Sequence, residues 1–141
     1  MAIFTKNVCN LSPEQIRQEV RLQTIASSMG VSPAILSTDY ATYIHMERAG
    51  PMCIADKYGE EIENLSDWIK EEIIEHLWTL YSCCNIQYID ITPYNFIEQD
   101  GRIWVIDFGD AFRNKPKTKL HPFLKSIFDS WKLTKWNPEF K

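Results

Sequence analysis

The sequence lacks the features that mark several large classes of protein. No run of roughly 18 apolar residues occurs in its 141 residues, so we expect no membrane-spanning helix. No basic leader followed by a long apolar region opens the chain, which argues against a secretory signal. The net charge of -4 argues against a specific nucleic-acid binder, because such proteins carry a basic surface. No internal repeat or low-complexity linker occurs, so residues 1–141 are expected to form a single domain.

Cysteine is present but shows no metal-binding pattern. No CxxC pair occurs, and no cysteine has the ligand spacing with histidine that a zinc site requires. Two of the cysteines are adjacent in sequence and poorly placed to bridge each other. We therefore predict a cytoplasmic protein in which all four cysteines are reduced thiols: Cys9, Cys53, Cys83 and Cys84.

The composition is otherwise that of a globular domain rich in aromatic residues. Hydrophobic residues make up 45% of the chain and aromatic residues 13%, with five tryptophans. Aromatic side chains near the end of the sequence are expected to pack in the core. Any that are exposed would mark a homodimer or partner surface. The residues concerned are Phe123, Phe128, Trp131 and Trp136.

Two long helices are marked by clear sequence signals. Ser12 can cap the first helix, Pro13 suits its first position, and Gln15 completes a capping box. That helix is expected to end at Gly30. The second helix is expected to begin near Ser66. Its apolar residues recur at helical spacing: Ile69, Ile73, Leu77 and Leu80.

Short strands are predicted in three regions. Residues 1–9 alternate well enough for one strand, and residues 34–48 are typical of two more, before Gly50 and Pro51 break the chain. Residues 95–109 resemble a hairpin that turns at Asp100-Gly101. The polar stretch 56–64 is expected to be a connector, and residues 121–133 to be helical. The sequence therefore predicts an α+β fold in two parts that meet near residue 50.

Three oxygen-bearing side chains stand out as a candidate site for chemistry. Asp90 and Asn95 lie five residues apart in one loop, and Asp107 follows Asn95 by 12 residues, across the predicted hairpin. Phosphoryl transfer from a nucleotide needs a divalent metal and a carboxylate near the attacking hydroxyl. Magnesium takes hard oxygen ligands and usually only one or two from protein side chains. The three residues can supply these groups.

The segment around these residues resembles the protein-kinase superfamily. DITPYN at 90–95 is similar to the catalytic loop pattern H-R-D-x-x-x-x-N, and IDFG at 106–109 is similar to the magnesium-binding D-F-G motif. The resemblance implies that Asp90 is catalytic, orienting the substrate hydroxyl or accepting its proton. It implies that Asn95 and Asp107 bind Mg²⁺ and, through it, the phosphates of ATP.

Lys6 and Glu19 extend the resemblance toward the start of the chain. AIFTK at 2–6 is similar to the kinase strand V-A-I-K, whose lysine contacts the nucleotide phosphates and pairs with a glutamate on the next helix. Glu19 lies on the predicted first helix and fits that role, with Glu14 as a competing partner. The stretch 19–36 resembles RIO-type kinases and the small kinase of the KEOPS assembly. Glu47 falls where the family reads adenine through backbone groups, although a plain strand end fits it almost as well.

The implied fold is a truncated, two-lobe kinase-like fold. Residues 1–49 would form a reduced N-lobe, a small antiparallel sheet with helix C. Residues 50–141 would form a reduced and mostly helical C-lobe that carries the catalytic-loop hairpin. The resemblance covers roughly residues 3–112, and such compactness suggests a viral minimal kinase.

The sequence departs from the family pattern at several points. No glycine-rich loop precedes Lys6, and no A-P-E motif follows Gly109. Tyr88 and Ile89 stand where the catalytic loop normally has histidine and arginine, so we expect the loop to be anchored differently. Without that arginine, control by an activation-loop phosphate is not expected. Thr92 replaces the usual loop lysine, as in atypical small kinases.

Several functions remain open at this point. The first is an ATP- and magnesium-dependent Ser/Thr protein kinase acting on a protein substrate. The second is a pseudokinase or kinase mimic that binds a nucleotide, a partner kinase or the substrate of that kinase. A weaker third is a small-molecule kinase of the aminoglycoside type. A basic loop at residues 113–119 can bind an acidic partner, although a solvated loop is the commoner explanation. Its cations are Arg113, Lys115, Lys117 and Lys119.

Overall fold

The computed structural model describes residues 2–140 and shows an α+β protein with small antiparallel sheets, as the sequence predicts. The strands are β1 (Ile3–Asn7), β2 (Ile35–Thr38), β3 (Tyr43–Glu47), β4 (Ile86–Gln87), β5 (Phe96–Gln99), β6 (Arg102–Val105) and β7 (Phe112–Arg113). The α-helices are α1 (Pro13–Ser28), α2 (Ile54–Tyr58), α3 (Asp67–Cys84) and α4 (Pro122–Ser130). Short 3₁₀ helices cover Ile62–Asn64 and Pro138–Phe140.

The first sheet has three antiparallel strands in the order β1-β3-β2. Lys6 of β1 lies opposite Ile44 of β3, and the pairing of β2 with β3 shifts register between Ile35 and Ser37. Ile44 and Met46 are buried on one face of the central strand, because successive side chains of a strand point to opposite faces. This face packs against α1 and places Lys6 near that helix.

Helix α1 begins with the predicted capping box. Ser12 Oγ accepts a hydrogen bond from the Gln15 backbone N–H, and Gln15 Oε1 accepts one from the Ser12 backbone N–H. The helix ends at Ser28, just before Gly30 at a φ of 76°. Its buried face contains two polar side chains, Glu19 and Gln23. Polar groups on a buried face normally have specific partners, so this face is more than a packing surface.

A large apolar core lies around helix α3. This helix starts after Ser66, as predicted, and ends at Cys84, and the next residue, Asn85, has a left-handed φ of 57°. Its buried residues include all four of the predicted apolar face: Ile69, Ile73, Leu77 and Leu80.

Two short antiparallel pairs carry the candidate site. Strands β5 and β6 form the predicted hairpin, which turns through Asp100 and Gly101, both with positive φ. The N–H of Val105 donates to the carbonyl of Val31 at 2.9 Å and so ties the hairpin to the segment after α1. Strands β4 and β7 form a second pair that the sequence does not reveal, because each has only two residues.

Some expected boundaries were wrong. The first strand covers Ile3–Asn7 of the expected 1–9, and residue 1 of that range lies outside the described residues. Helix α4 ends at Ser130, short of the expected 133. The polar stretch 56–64 leads to α3 as expected, and it holds the end of α2 and a 3₁₀ turn that the sequence did not indicate. Trp131 is 43% exposed rather than a core residue. None of the described helices is long and apolar enough to cross a membrane.

Candidate functional site

The centre of the site is Lys6, which contacts two carboxylates from distant parts of the chain. Its Nζ forms an ion pair with Glu19 Oε2 of α1 and lies 3.2 Å from Asp107 Oδ1, just beyond β6. Lys6 and Asp107 are 101 positions apart in sequence. Strand β1, helix α1 and the end of the hairpin therefore meet at one ammonium group.

Burial strengthens the interactions between the charges of this cluster, because little water screens them. The Glu19 side chain is only 1% exposed and that of Lys6 is 24% exposed. Burial raises the pKa of Glu19, although Lys6 opposes the shift. For Lys6, burial lowers the pKa, but the charges of Asp107 and Glu19 outweigh it and leave the pKa above its ordinary value. The lysine is therefore held as a fixed positive charge.

Asp107 is held in a backbone conformation that few residues adopt. Its φ is 63°, in the left-handed region, and its Oδ1 accepts a hydrogen bond from the Gly109 N–H at 3.2 Å. A Cβ on Gly109 would lie 3.2 Å from that same Oδ1 and 3.3 Å from Glu19 Oε1. A side chain at position 109 would therefore crowd both carboxylates, which approach the Gly109 backbone closely.

One carboxylate oxygen of this cluster has no partner. Glu19 Oε1 is buried and makes no hydrogen bond to any of residues 2–140. A buried carboxylate oxygen without a donor is costly, and such groups concentrate at functional sites. The oxygen lies beside Gly109, on the side where Asp107 approaches.

Asp90 and Asn95 lie on one tight loop. The Asn95 side-chain Nδ2 donates to the Asp90 backbone carbonyl at 2.9 Å, and the Asn95 backbone N–H donates to Thr92 at 3.2 Å. The Asn95 carbonyl accepts from the Ile106 N–H at 3.0 Å, which joins this loop to the residue before Asp107. The loop and the end of the hairpin are thus fixed to each other.

The carboxyl group of Asp90 has a strongly shifted pKa. Burial, followed by the charges of Asp107 and Asp110, raises the pKa of Asp90 to about 6. The group is therefore mainly ionised at neutral pH and yet can take up a proton close to it. Such a pKa is suited to a general base.

Tyr88 anchors the loop from below. It is 1% exposed, its hydroxyl donates to the carbonyl of Ile106 at 2.5 Å, and its ring packs edge-on against Phe108 at 5.2 Å between centroids. Burial raises the pKa of Tyr88 well above its usual range, so the hydroxyl stays a donor. The sequence predicted that the loop is anchored differently here, because Tyr88 replaces the usual histidine, but it did not predict the contact. The contact is the hydrogen bond from the Tyr88 hydroxyl to Ile106.

An apolar cavity of about 190 Å³ lies where the end of β3 meets the segment that follows it. Glu47 lines it, but the Glu47 N–H donates to the carbonyl of Ala34 at 2.9 Å within the sheet. The next N–H, that of Arg48, donates to Ala2 at 3.0 Å. A ligand would have to use other backbone groups of this wall. Ile97 and Ile106 also line the cavity, and Ile106 is the residue before Asp107.

The donor set fits magnesium better than a metal that needs a full protein cage. Among residues 2–140 no three His, Cys, Asp or Glu side chains converge as a metal site. Asn95 uses its Nδ2 in the loop, so its Oδ1 remains for a ligand, and Asp107 presents a side chain that is 39% exposed. Magnesium usually combines one or two such oxygens with water and phosphate oxygens.

The structure thus brings most of the predicted site residues together. Lys6 is in direct contact with Glu19 and with Asp107, and the charge of Asp107 contributes to the raised pKa of Asp90. Glu47 does not belong to this group of residues and lies in the wall of the cavity. The competing Glu14 is exposed in the first turn of α1 and forms no ion pair with any described residue.

Two contributors were missed at the sequence level. Asp110 influences Asp90 by its charge, and its position three residues after Asp107 could have suggested it. Asn137 contacts the Asp90 loop from a distant segment, and no sequence signal indicates that contact. No protein-family model matches the chain, and no curated protein shows significant similarity to it.

Proposed function

We propose that the protein is an ATP- and magnesium-dependent phosphotransferase, acting as a Ser/Thr protein kinase on a reduced kinase-like fold. Residues 1–49 form the reduced N-lobe with α1 as helix C, and residues 50–141 form the reduced C-lobe. The observation that carries the proposal is the placement of Lys6 between Glu19 and Asp107. Phosphoryl transfer relies on positioning and on charge neutralisation, which is what this cluster offers.

Lys6 has the role of a phosphate contact. Glu19 holds the ammonium group from the buried side, which leaves the face toward Asp107 for phosphate oxygens. Because Lys6 is only partly exposed, its charge is weakly screened and acts strongly on a bound anion. Magnesium, when bound by Asp107 and Asn95, would neutralise charge on the phosphates.

Asp90 has the role of the group that meets the substrate hydroxyl. Its raised pKa allows it to orient that hydroxyl and to take its proton as the bond to phosphorus forms. The Asn95 side chain fixes the backbone carbonyl of Asp90, so the metal ligand and the base share one rigid loop. Both features support transfer rather than mere nucleotide binding.

The second candidate is a pseudokinase that binds a partner without transferring phosphate. Two observations favour it. The cavity of about 190 Å³ is smaller than the roughly 300–1,000 Å³ of most ligand pockets. The N–H of Glu47 is already used within the sheet. Both observations concern the binding of adenine, and neither concerns the cluster of Lys6, Glu19 and Asp107.

The decisive experiment compares Asp107→Asn with Asp100→Asn. Both residues have a positive φ, 63° and 54°, and asparagine tolerates that conformation, so neither change strains the backbone. Calorimetry first measures ATP binding to the wild type with and without Mg²⁺. Autophosphorylation from labelled ATP, and transfer to a generic Ser/Thr substrate protein, are then measured for all three proteins.

We expect magnesium-dependent ATP binding and transfer in the wild type, a loss of transfer of about 100-fold or more in Asp107→Asn, and unchanged transfer in Asp100→Asn. Magnesium-dependent binding without transfer in the wild type would select the pseudokinase. No ATP binding at any magnesium concentration would overturn both nucleotide-based candidates.

A further inference from the structure

One residue, Asn137, holds the backbone carbonyls of both neighbours of Asp90. The Asn137 side-chain Nδ2 donates to the carbonyl of Ile89 at 2.8 Å, and the Asn137 backbone N–H donates to the carbonyl of Ile91 at 2.9 Å. These two carbonyls belong to the residues immediately before and after Asp90. Fixing both sets the direction in which the Asp90 side chain leaves the backbone.

Asn137 is itself rigidly placed. It is 1% exposed, and its Oδ1 accepts a hydrogen bond from the Glu139 N–H at 3.2 Å, so its amide is used at both ends. The preceding Trp136 donates from its indole Nε1 to the carbonyl of Glu60 at 2.8 Å and stacks on Phe96. The segment that carries Asn137 is therefore anchored on both sides.

The other supports of the Asp90 backbone come from within the loop or from just before it, and they include the bond from Asn95 Nδ2 to the Asp90 carbonyl at 2.9 Å. Within it, the Ile91 N–H donates to Ile89 at 2.8 Å and the Thr92 N–H donates to Asp90 at 3.1 Å, which are tight local turns. Tyr88 ties the loop to Ile106 one step earlier in the chain. Only Asn137, among the described residues, links the carbonyls on both sides of Asp90 to another part of the fold.

We propose that Asn137 is the positioning residue for Asp90. This proposal rests on the proposed function only because it takes Asp90 as the base. The two bonds from Asn137 to the loop do not depend on that function. We expect Asn137 to act on the transfer step and not on nucleotide binding, because it is hydrogen-bonded neither to the Lys6, Glu19 and Asp107 cluster nor to Asn95. The Asn95 carbonyl has its own hold, the Ile106 N–H at 3.0 Å. A displacement of about 1 Å at a reacting group can cost about 100-fold in rate.

The test uses the full chain with Asn137→Ala, Asn137→Asp and the control Glu139→Gln. Aspartate has the size of asparagine and keeps the Oδ1 acceptor for the Glu139 N–H and the backbone N–H that donates to the Ile91 carbonyl. When ionised, it has no side-chain donor for the Ile89 carbonyl. The control changes a neighbouring side chain that pairs with His121 and leaves Asn137 intact. Two quantities are measured: hydrogen exchange at the amides of Ile91 and Thr92, and steady-state kcat and KM for ATP.

We expect faster exchange at these amides and a kcat lowered between about 10- and 100-fold at unchanged KM in both Asn137 variants. The Glu139 control should match the wild type in both measurements. Unchanged loop exchange, or an equal kcat, would overturn the positioning role. Faster loop exchange in the Asn137 variants, combined with a wild type that transfers no phosphate, would reject the proposed kinase while leaving the hold on the loop established.

A measurement on the wild type covers the case in which neither variant folds. The Asn137 amide must then be protected to the same degree as those of Ile91 and Thr92. Exchange of the Asn137 amide at the rate of an exposed residue would contradict the contact and the proposal with it.

Discussion

Two regions of the molecule are held together by different forces. Between the first sheet and α1, the buried apolar side chains form a small cluster, and the ion pair of Lys6 with Glu19 lies beside them. Around α3, a much larger apolar cluster reaches from Leu22 to Leu133. The small cluster consists of Val8, Ile16, Ile44 and Met46.

The difference shows where charge has a structural role. In the large cluster, burial of apolar surface is sufficient to fix the helices, at roughly 25 cal/mol for each Å² removed from water. Helix α1 packs into the large cluster through Leu22 and into the small one through Ile16. The small cluster offers little apolar surface, so the contact of α1 with the first sheet depends also on Lys6. The same lysine serves the candidate site, so stability and function are coupled in the smaller region.

The largest expected effect comes from removing Lys6. Lys6→Met leaves Glu19 buried without its cation, and we expect a loss of about 2 kcal/mol in the free energy of unfolding, less than for a fully buried pair because Lys6 is partly exposed. Uptake of a proton by Glu19, whose pKa is already raised, limits the loss. Urea unfolding at pH 7 measures it.

A double-mutant cycle with Glu19→Gln tests the cause of that loss. If the cost is the unpaired carboxylate, Lys6→Met combined with Glu19→Gln should recover about 1–2 kcal/mol of it. Hydrogen exchange should show that β1 and β3 open more easily in Lys6→Met while α3 does not. If the stability losses of Lys6→Met and Glu19→Gln simply add in the double variant, the ion pair does not help to hold α1 on the first sheet, and the contrast between the two regions fails.

An intermediate effect, of opposite sign, is expected at Asp90. A carboxyl group whose pKa is higher in the folded protein than in the unfolded chain is destabilising when ionised, and the penalty disappears as the pH falls from about 6 toward 4. Asp90→Asn should therefore raise the free energy of unfolding by about 1 kcal/mol at pH 7.5, after allowance for partial exposure, and abolish phosphate transfer. Thermal unfolding in EDTA measures the gain, with Asp100→Asn as the control; equal stabilities at pH 7.5 would contradict the assignment.

Sequence patterns predicted the elements whose signals are local. The capping box at Ser12 and Gln15 and the Asp100-Gly101 turn mark their own positions, and both are confirmed. The pairing of β4 with β7 could not be predicted, because two-residue strands leave no alternation to detect. Trp131 was misplaced because an aromatic residue at helical spacing is usually buried, whereas here the helix ends one residue earlier.

The candidate site was predictable where chemistry restricts residue type. Lys6, Glu19 and Asp107 could be chosen because few side chains serve phosphate and metal, and the structure brings all three together. Asn137 could not be chosen, because its role depends on a contact between residues 48 positions apart that tertiary packing alone creates. The roles of all these residues stay predictions until transfer is measured.

The smallest effect concerns a titratable group of the larger region, His76 on α3. Its Nε2–H donates to the carbonyl of Ile103 at 2.8 Å. Burial lowers the pKa of His76; Arg102 adds to the shift, and the bond to Ile103 and the charges of Glu72 and Glu75 oppose it. Burial therefore dominates in this apolar region, whereas at Lys6 the neighbouring charges dominate.

The sign of the pH dependence follows from this lowered pKa. Because the unfolded chain binds the proton more tightly, stability from neutral His76 is fully present above pH 6.5 and declines as the pH falls below it. His76→Gln can keep a donor to Ile103 but does not titrate. We expect the difference in the free energy of unfolding between pH 7.5 and pH 5.5 to be smaller in this variant, by at most about 1.4 kcal/mol, because this range extends only one pH unit below 6.5. An identical pH dependence in both proteins would show that burial in the large core does not control His76, and the contrast between the two regions would then rest on Lys6 alone.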